Sequence, residues 1–326
     1  MHILLTGGAG YIGSHVCLNL LEAGYKVTVI DNLSTGHRQL IPKKANLIET
    51  NINDTKTLSN LLKNNTFDAL MHFAGYIKVE ESVKYPKKYY ENNTKNSEIL
   101  FKVCLDNNLN NIIFSSTATV YGNPNKKLID ENNKLKPMNP YGDSKLQTEK
   151  LLIDLSKNKK ICTIILRYFN VAGADPKMRS GLISKKSTHL IKVACEAAVG
   201  KRNKVTIFGN DYNTKDGTAV RDYIHVSDLA EIHVKSLEYL LKKKQSTIMN
   251  CGYGKGYTVK EVLEVMNKIC GGKINICYGQ RRLGDAESVV SNINKLSKTI
   301  KWMPFYNNLE VILKTALDWE KNLQNE

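Results

Sequence analysis

The stretch Thr6-Gly7-Gly8-Ala9-Gly10-Tyr11-Ile12-Gly13 decides how this chain is read. An apolar run, His2-Ile-Leu-Leu-Thr6, comes before it, and Val16, Leu20 and Leu21 follow at helical spacing. Gly7, Gly10 and Gly13 thus stand between a predicted strand and a predicted helix. Glycines there let the backbone turn tightly and approach a pyrophosphate, which lies on the exposed N–H groups and positive dipole end of the helix. Asp31 closes the second predicted strand, 18 residues beyond Gly13. A carboxylate at that place accepts from ribose hydroxyls and repels a 2′-phosphate, so the pattern favours NAD over NADP.

Working outward, short apolar runs recur at Ile3–Leu5, Lys26–Ile30, Ala69–Phe73, Ile112–Ser115 and Cys162–Leu166. Longer stretches with helical spacing separate them, among them the one holding Leu146, Leu151, Leu152 and Leu155. Apolar strands alternating with helices predict an α/β protein with a doubly wound parallel sheet covered on both faces. After about residue 170 the alternation loosens. Ser227-Asp228 reads as the cap of a helix reaching about Lys243, and Thr258-x-x-Glu261 reads as a capping box for a helix that Gly271-Gly272 ends.

Composition narrows the class further. The 326 residues are 42% hydrophobic and 24% charged, enough to fill a sizeable core and too apolar for a disordered chain. A formal charge of +16 is spread over short lysine clusters, with no basic tail or aromatic-studded stripe, so no nucleic-acid partner is expected. Seven cysteines at irregular spacing without a C-x-x-C suggest neither a disulfide framework nor a metal site. No signal-like segment precedes the first strand and no apolar run approaches a membrane span, so a soluble cytoplasmic protein is expected.

Tyr141 and Lys145, four apart at the start of a helical segment, would share one face. A phenol with a pKa of about 10 is a poor base at neutral pH; bringing it to about 7 takes about 4 kcal/mol of preferential stabilisation. A neighbouring ammonium and a cationic nicotinamide ring would act in that direction. Thr117, at the end of a predicted strand, is placed to hydrogen-bond the substrate oxygen and relay the proton. Tyr141, Lys145 and Thr117 are therefore the candidate catalytic set.

These segments, with Asp31-Asn-Leu33, His72-Phe-Ala-Gly75, Tyr89-Tyr-x-Asn-Asn93, Arg167-Tyr-Phe-Asn170, Ile207-Phe-Gly-Asn-Asp-Tyr212, Asp216-Gly-Thr-x-x-Arg-Asp-Tyr-Ile-His-Val226 and Arg281-Arg-x-Gly-Asp285, resemble the extended short-chain dehydrogenase/reductase family. The similarity runs nearly end to end, and the last three segments resemble its nucleotide-sugar epimerase branch. The resemblance implies a Rossmann-type NAD-binding domain over residues 1–170, to which the chain returns around 222–250. A smaller mixed C-terminal lobe over 171–326 would mainly hold a UDP-hexose. It implies an isomerase in which Tyr141 takes the proton of the sugar 4-hydroxyl as C4 gives its hydride to NAD. The 4-keto sugar then turns about its diphosphate link and is reduced on the other face.

Residue by residue, the resemblance places the pyrophosphate at Tyr11 and Ile12, and the adenosine ribose at Asp31, Asn32, Leu33, Ser34, Thr35 and Gly36. It places Asn51 and Ile52 at the adenine, Asn51 accepting through its amide oxygen. Phe73, Ala74, Gly75 and Ile77 would line the cofactor, with Asn92 and Phe169 nearer the nicotinamide. For the substrate it implies Arg221 and Arg282 at the diphosphate, Asp285 at the uridine ribose, and Thr206 and Phe208 at the uracil. Asn170, His189, Leu190 and Tyr223 would complete the wall. Val289, four residues after Asp285, would leave room for an N-acetyl group, extending the substrates to UDP-N-acetylhexosamines. A 4,6-dehydratase would need an Asp-Glu pair after Thr117, where this chain has Ala118-Thr119. A homodimer through Asn92–Asn107 and Lys145–Ser156 is also implied, although the apolar stripe of the second segment equally suits packing on its own sheet.

Overall fold

The computed structural model describes residues 1–124, 126–158, 160–184, 187–272, 274–282 and 285–325. Leu283 and Gly284 of the Arg281-to-Asp285 motif, and Lys185 and Lys186, lie outside the described residues. The first half alternates as the apolar runs predict, through β1 (His2–Thr6), β2 (Lys26–Asp31), β3 (Asn46–Glu49), β4 (Ala69–His72), β5 (Asn111–Thr117) and β6 (Cys162–Tyr168). Then come β7 (Asn170–Ala172), β8 (Val205–Phe208), β9 (Val220–His225), β10 (Thr247–Cys251), β11 (Gly256–Thr258), β12 (Ile276–Gly279) and β13 (Ser288–Val289). The helices are α1 (Tyr11–Glu22), α2 (Thr55–Asn64), α3 (Val79–Lys84), α4 (Pro86–Tyr89), α5 (Asn96–Asp106), α6 (Pro140–Lys157), α7 (Leu190–Ala198), α8 (Val226–Lys243), α9 (Val259–Ile269), α10 (Asn294–Ile300) and α11 (Leu309–Asn325).

The seven-stranded sheet has the order β10-β6-β5-β4-β1-β2-β3, with every neighbouring pair parallel. The order reverses between β1 and β4, which opens a crevice at the carboxyl ends of the strands. Both faces are covered because successive side chains point to opposite sides. Ile3 and Leu5 join Val16, Leu20, Leu229 and Leu237 in one core, whereas Leu4 joins Leu58, Leu62, Phe101 and Leu152 in the other. The doubly wound α/β expectation is met. β10, the seventh strand, has no counterpart among the predicted runs.

The second half adds small sheets that carry site residues: β11-β9-β13, with β7 also paired to β9, and β12 beside β8. Two smaller clusters bind these parts together. Ala118, Val120, Tyr121, Ile129, Leu146 and Phe169 form one, with Val289 packed against it. Leu40, Ala174 and Trp319 form the other, joining residues from both ends of the chain.

Helix starts follow local chemistry. Asn139 caps α6 by accepting from Gly142 N–H at 2.9 Å, with Pro140 in the first turn. Thr258 and Glu261 form the expected capping box of α9, and Gly271 and Gly272 take positive φ just beyond its end. The start of α8 differs from expectation. His225 is its cap, accepting from Ser227 N–H at 3.1 Å through Nδ1, so Ser227 and Asp228 already lie inside the helix. Asp228 is instead turned toward Phe305 and Tyr306, whose N–H groups it accepts. Among the described residues, no helix is long and apolar enough to cross a membrane.

Candidate active site

The crevice at the carboxyl ends of β1, β2 and β4 is lined by Gly7, Gly10, Asp31, Asn32, Ser34, Thr35, Gly36, Asn51, Ile52, Phe73, Ala74, Gly75 and Asn92. Its floor is a close approach of two turns. Gly7 has φ +73°, and a Cβ built on it would lie 2.6 Å from Ala74 N. A Cβ on Gly13 would meet the Gly7 carbonyl oxygen inside contact distance. Gly10 caps α1 with no side-chain acceptor, and no acidic residue stands in the first turn. The helix therefore presents its N–H groups and dipole to the crevice without an internal counter-charge.

Asp31 is buried and accepts from Ala9 N–H and Leu33 N–H, each at 2.9 Å. Two backbone donors hold the carboxylate and leave acceptor capacity facing the crevice. Asn51 is exposed, and its amide oxygen already accepts from Asn32 Nδ2 at 2.6 Å. Tyr11 sends its hydroxyl to the Gly173 carbonyl at 2.6 Å, and half-buried Ile12 packs on the core. Ile77 is 53% exposed, and Tyr76 rather than Ile77 lines the crevice.

A π-helical turn over Tyr90–Lys95 places both asparagines. Asn92 lines the crevice, while Asn93 is the buried one. The Asn93 side chain accepts from Tyr76 N–H at 2.8 Å, donates to Tyr76 C=O at 2.9 Å, and donates to Ser144 at 3.2 Å. It thus ties the Gly75-Tyr76 turn to α6. Sequence reading singled out Asn92 and missed Asn93. The inward phase of a widened turn is not visible in a helical period of 3.6.

Tyr141, Lys145 and Thr117 come together beside this turn. Desolvation pushes the Tyr141 phenol above its ordinary value, and hydrogen bonding with Thr117 pulls it partly back. This departs from the expected direction, because burial acts on the phenol more strongly than any neighbour and no effect of Lys145 on it is resolved. Lys145 is 3% exposed. Its ammonium donates to Ser115 C=O at 2.9 Å, stands 4.8 Å from the Phe114 ring centroid, and lies 3.4 Å from where a Cβ on Gly75 would be. Burial pulls it down to about 8, with Glu149 acting the other way. Thr117 shares a 2.9 Å hydrogen bond with Thr119.

The substrate candidates lie on the small sheets. Arg221 on β9 pairs with Asp285 and donates to its neighbour's carbonyl, Val220 C=O, at 2.8 Å. Arg282 lies over the Phe208 ring at 4.1 Å, and Thr206 is 3.2 Å from Cys277 Sγ across the β8–β12 pair. Asn170 pairs with Tyr223 in the β7–β9 ladder, and burial raises the Tyr223 phenol. His189 is the N-cap residue of α7 and Leu190 its first residue. Val289 pairs in register with Arg221 and packs beside buried Phe169. One residue that sequence reading passed over holds this wall together. Buried Asp222 accepts from Tyr253 N–H (2.9 Å), Gly254 N–H (3.0 Å), Ser291 N–H (3.1 Å) and the Ser291 hydroxyl, joining β9 to the segment after β13.

Comparison with known proteins bears on the family and on the fold as a whole. The family model described as the NAD dependent epimerase/dehydratase family matches residues 3–252. A UDP-glucose 4-epimerase of Azospirillum brasilense is 46% identical over 322 residues, spanning 99% of this chain and 92% of its own. The solved UDP-glucose 4-epimerase of Stenotrophomonas maltophila, with bound NAD and formylated UDP-arabinopyranose, superposes with a TM-score of 0.97 at 31% identity, covering 100% of this chain and 99% of that one. The UDP-Glc/GlcNAc 4-epimerase of Campylobacter jejuni is 44% identical with a TM-score of 0.87, covering 98% and 99%. With matches of this extent to both sequence and fold, the chain belongs to the NAD dependent epimerase/dehydratase family.

Proposed function

We propose that this chain is a UDP-glucose 4-epimerase, an isomerase that interconverts UDP-glucose and UDP-galactose through a 4-keto sugar with Tyr141 as base and acid. The observation that carries the reading is the convergence of Tyr141, Thr117 and Lys145 beside Gly75, at one end of a glycine-floored crevice whose other end holds Asp31. The crevice fits NAD on its own geometry. The uncapped start of α1 suits the pyrophosphate, the spare acceptor capacity of Asp31 suits ribose hydroxyls, and the floor has no space for a side chain at Gly7. NAD, when bound, supplies the acceptor and donor of the C4 hydride.

The protein side of the reaction is proton handling and grip. Tyr141 takes the 4-hydroxyl proton and returns it, with Thr117 orienting the oxygen. Lys145, fixed by Ser115 C=O, brings a positive charge to the cofactor end of the crevice. Arg221, Arg282 and Asp285 hold the nucleotide while the hexose stays loosely held, as a sugar that must present either face requires. Arg221 exchanges part of its Asp285 contact for phosphate oxygens. In the same reading residues 1–170 carry the cofactor and 171–326 mainly the sugar nucleotide, and the protein is a cytoplasmic homodimer through 92–107 and 145–156. Leu151 and Leu155 of the second segment pack on the core of their own sheet, so the dimer rests on the family resemblance alone, and sedimentation velocity tests it.

Val289 extends the substrate range to UDP-N-acetylhexosamines in this reading, because valine is a smaller side chain than a tyrosine at that place would be; it packs against the cluster that includes Phe169. The similarity to an epimerase named for both UDP-Glc and GlcNAc supports this extension. The test of the main reading is incubation of the purified protein with UDP-galactose and no added NAD. UDP-glucose is the expected product. A keto-deoxy sugar would make it a dehydratase, absence of turnover a binding protein, and either result overturns the proposal.

A further inference from the structure

Glu149 takes no part in the chemistry described so far. It follows Lys145 by four residues on α6 as Lys145 follows Tyr141, so three ionisable side chains occupy one stripe of the helix. Glu149 is 0% exposed. Its carboxylate accepts from Arg167 through Nε at 3.0 Å and Nη2 at 2.6 Å, and from the Ser116 hydroxyl, one residue before Thr117. Arg167, 1% exposed, also donates through Nη1 to the Tyr121 hydroxyl at 2.9 Å, which itself donates to Asn250 at 2.7 Å. As packing alone such a buried ion pair is poorly justified, since apolar replacements of similar volume are often equally stable or more so.

The pair acquires a purpose from what surrounds Lys145. Facing the ammonium are the Ser115 carbonyl and Phe114 ring of β5, the neutral Asn93 of the π turn, and His72 of β4. Burial and the Lys145 charge together keep His72 uncharged, down to about 3. From β6 come Arg167, which is bound to Glu149, and the phenol of Tyr168, raised by burial. Among the charged side chains, Glu149 is the one that favours the ammonium of Lys145 against desolvation, beside the neutral Ser115 carbonyl and Phe114 ring.

We propose that Glu149 is a positioning residue for the epimerase reaction, holding Lys145 as an ammonium at the cofactor end of the crevice while Arg167 and Ser116 keep Glu149 ionised and in place. This rests on the functional reading above. A carboxylate held by two fixed donors cannot swing toward Lys145 and collapse into a contact pair. It acts through space, leaving the ammonium protons for Ser115 C=O and for the crevice.

The experiment compares wild type with Glu149→Gln and with the double variant Glu149→Gln/Arg167→Met, which removes both buried charges and keeps the site filled. Two quantities are followed from about pH 6 to about pH 10: kcat/KM with UDP-galactose, and the rate of NAD release from the purified holoprotein. In both variants the alkaline limb of kcat/KM moves toward acid by about one pH unit. The loss is about 5-fold at the old limb, approaches about 10-fold above it and shrinks at the acid end. NAD release accelerates at correspondingly lower pH. A double variant with the wild-type profile would mean that Glu149 serves only to neutralise Arg167, and would overturn the proposal. So would a loss that is uniform in pH. If the wild type shows no epimerase activity the functional reading fails by itself, and the NAD-release arm still decides the role of Glu149.

Discussion

Substituting alanine at Gly7 probes the floor of the crevice with an effect that can be worked out beforehand. The new Cβ would lie 2.6 Å from Ala74 N, 2.9 Å from Ala74 Cα and 2.9 Å from Phe73 C, all backbone atoms that cannot rotate aside. An ordinary carbon contact needs about 3.5 Å, so the Gly7 turn and the Phe73–Gly75 turn must separate by most of an ångström. Left-handed φ at a non-glycine residue costs about 1–2 kcal/mol, and overpacking a tight site adds about 1–3 kcal/mol. Separation also carries the start of α1 away from the pyrophosphate. Losing one or two charge-assisted hydrogen bonds of about 1.5–3 kcal/mol each weakens NAD binding about 10- to 10⁴-fold. Gly24→Ala is the matched control, because Gly24 has φ +83° but nothing within 4 Å of its would-be Cβ. It should lose about 1–2 kcal/mol of stability and bind NAD normally. Calorimetric titration of NAD into stripped protein, with thermal melts of both variants, reads the two effects separately. A Gly7→Ala protein that binds NAD as Gly24→Ala does would refute the close-approach argument.

Three further outcomes are expected. Tyr141→Phe should lower kcat by about 10²-fold or more while NAD and UDP remain bound, as single-turnover and binding assays would show; a wild-type rate would remove Tyr141 from the proton path. Val289→Tyr should selectively depress kcat/KM for UDP-GalNAc relative to UDP-galactose, and undetectable turnover of the acetylated sugar by the wild type would end the size argument. The third concerns acid. Burial holds His15 and His233 down to about 4, and His72 and His225 down to about 3. Their folded values lie below the unfolded value of about 6.5, so the unfolded chain binds the extra protons. Stability is therefore intact above about pH 6.5 and falls as the pH drops toward the folded values, by up to about 1.4 kcal/mol per pH unit for each histidine. Urea midpoints that stay level from about pH 7 to about pH 5 would contradict it.

What the amino-acid order disclosed, and what it hid, divides by range. The glycine turn, Asp31 at a strand end, the Tyr141–Lys145 spacing and the Thr258–Glu261 capping box are local patterns, and each falls on the element expected of it. The features left unread in the sequence mostly depend on distant partners. Asp222 finds Ser291, 69 residues away, and Arg167 finds Glu149 on another element. Ser227 and Asp228 have good capping chemistry, but His225 is nearer the strand end and its ring turns inward first. The carboxylate of Asp228, which also accepts from the Tyr253 hydroxyl, then anchors the Phe305–Tyr306 turn. Ile77 reads as a lining residue from its place in the motif, yet the hold of Asn93 on Tyr76 leaves the next side chain facing outward. A tyrosine and lysine four apart are visible in any sequence. The balance of burial and charge that sets their protonation depends on groups from several strands and helices.

The small cluster of Leu40, Ala174 and Trp319 orders events in time. Leu40 follows the ribose-side loop by a few residues, whereas Trp319 belongs to α11. During synthesis the glycine turn and Asp31 emerge early, but the corner behind them has no tryptophan to close on until the last described helix has been made. A nascent chain lacking α11 would therefore leave Leu40, and the segment that follows the Ser34–Gly36 loop, without the packing that Trp319 supplies.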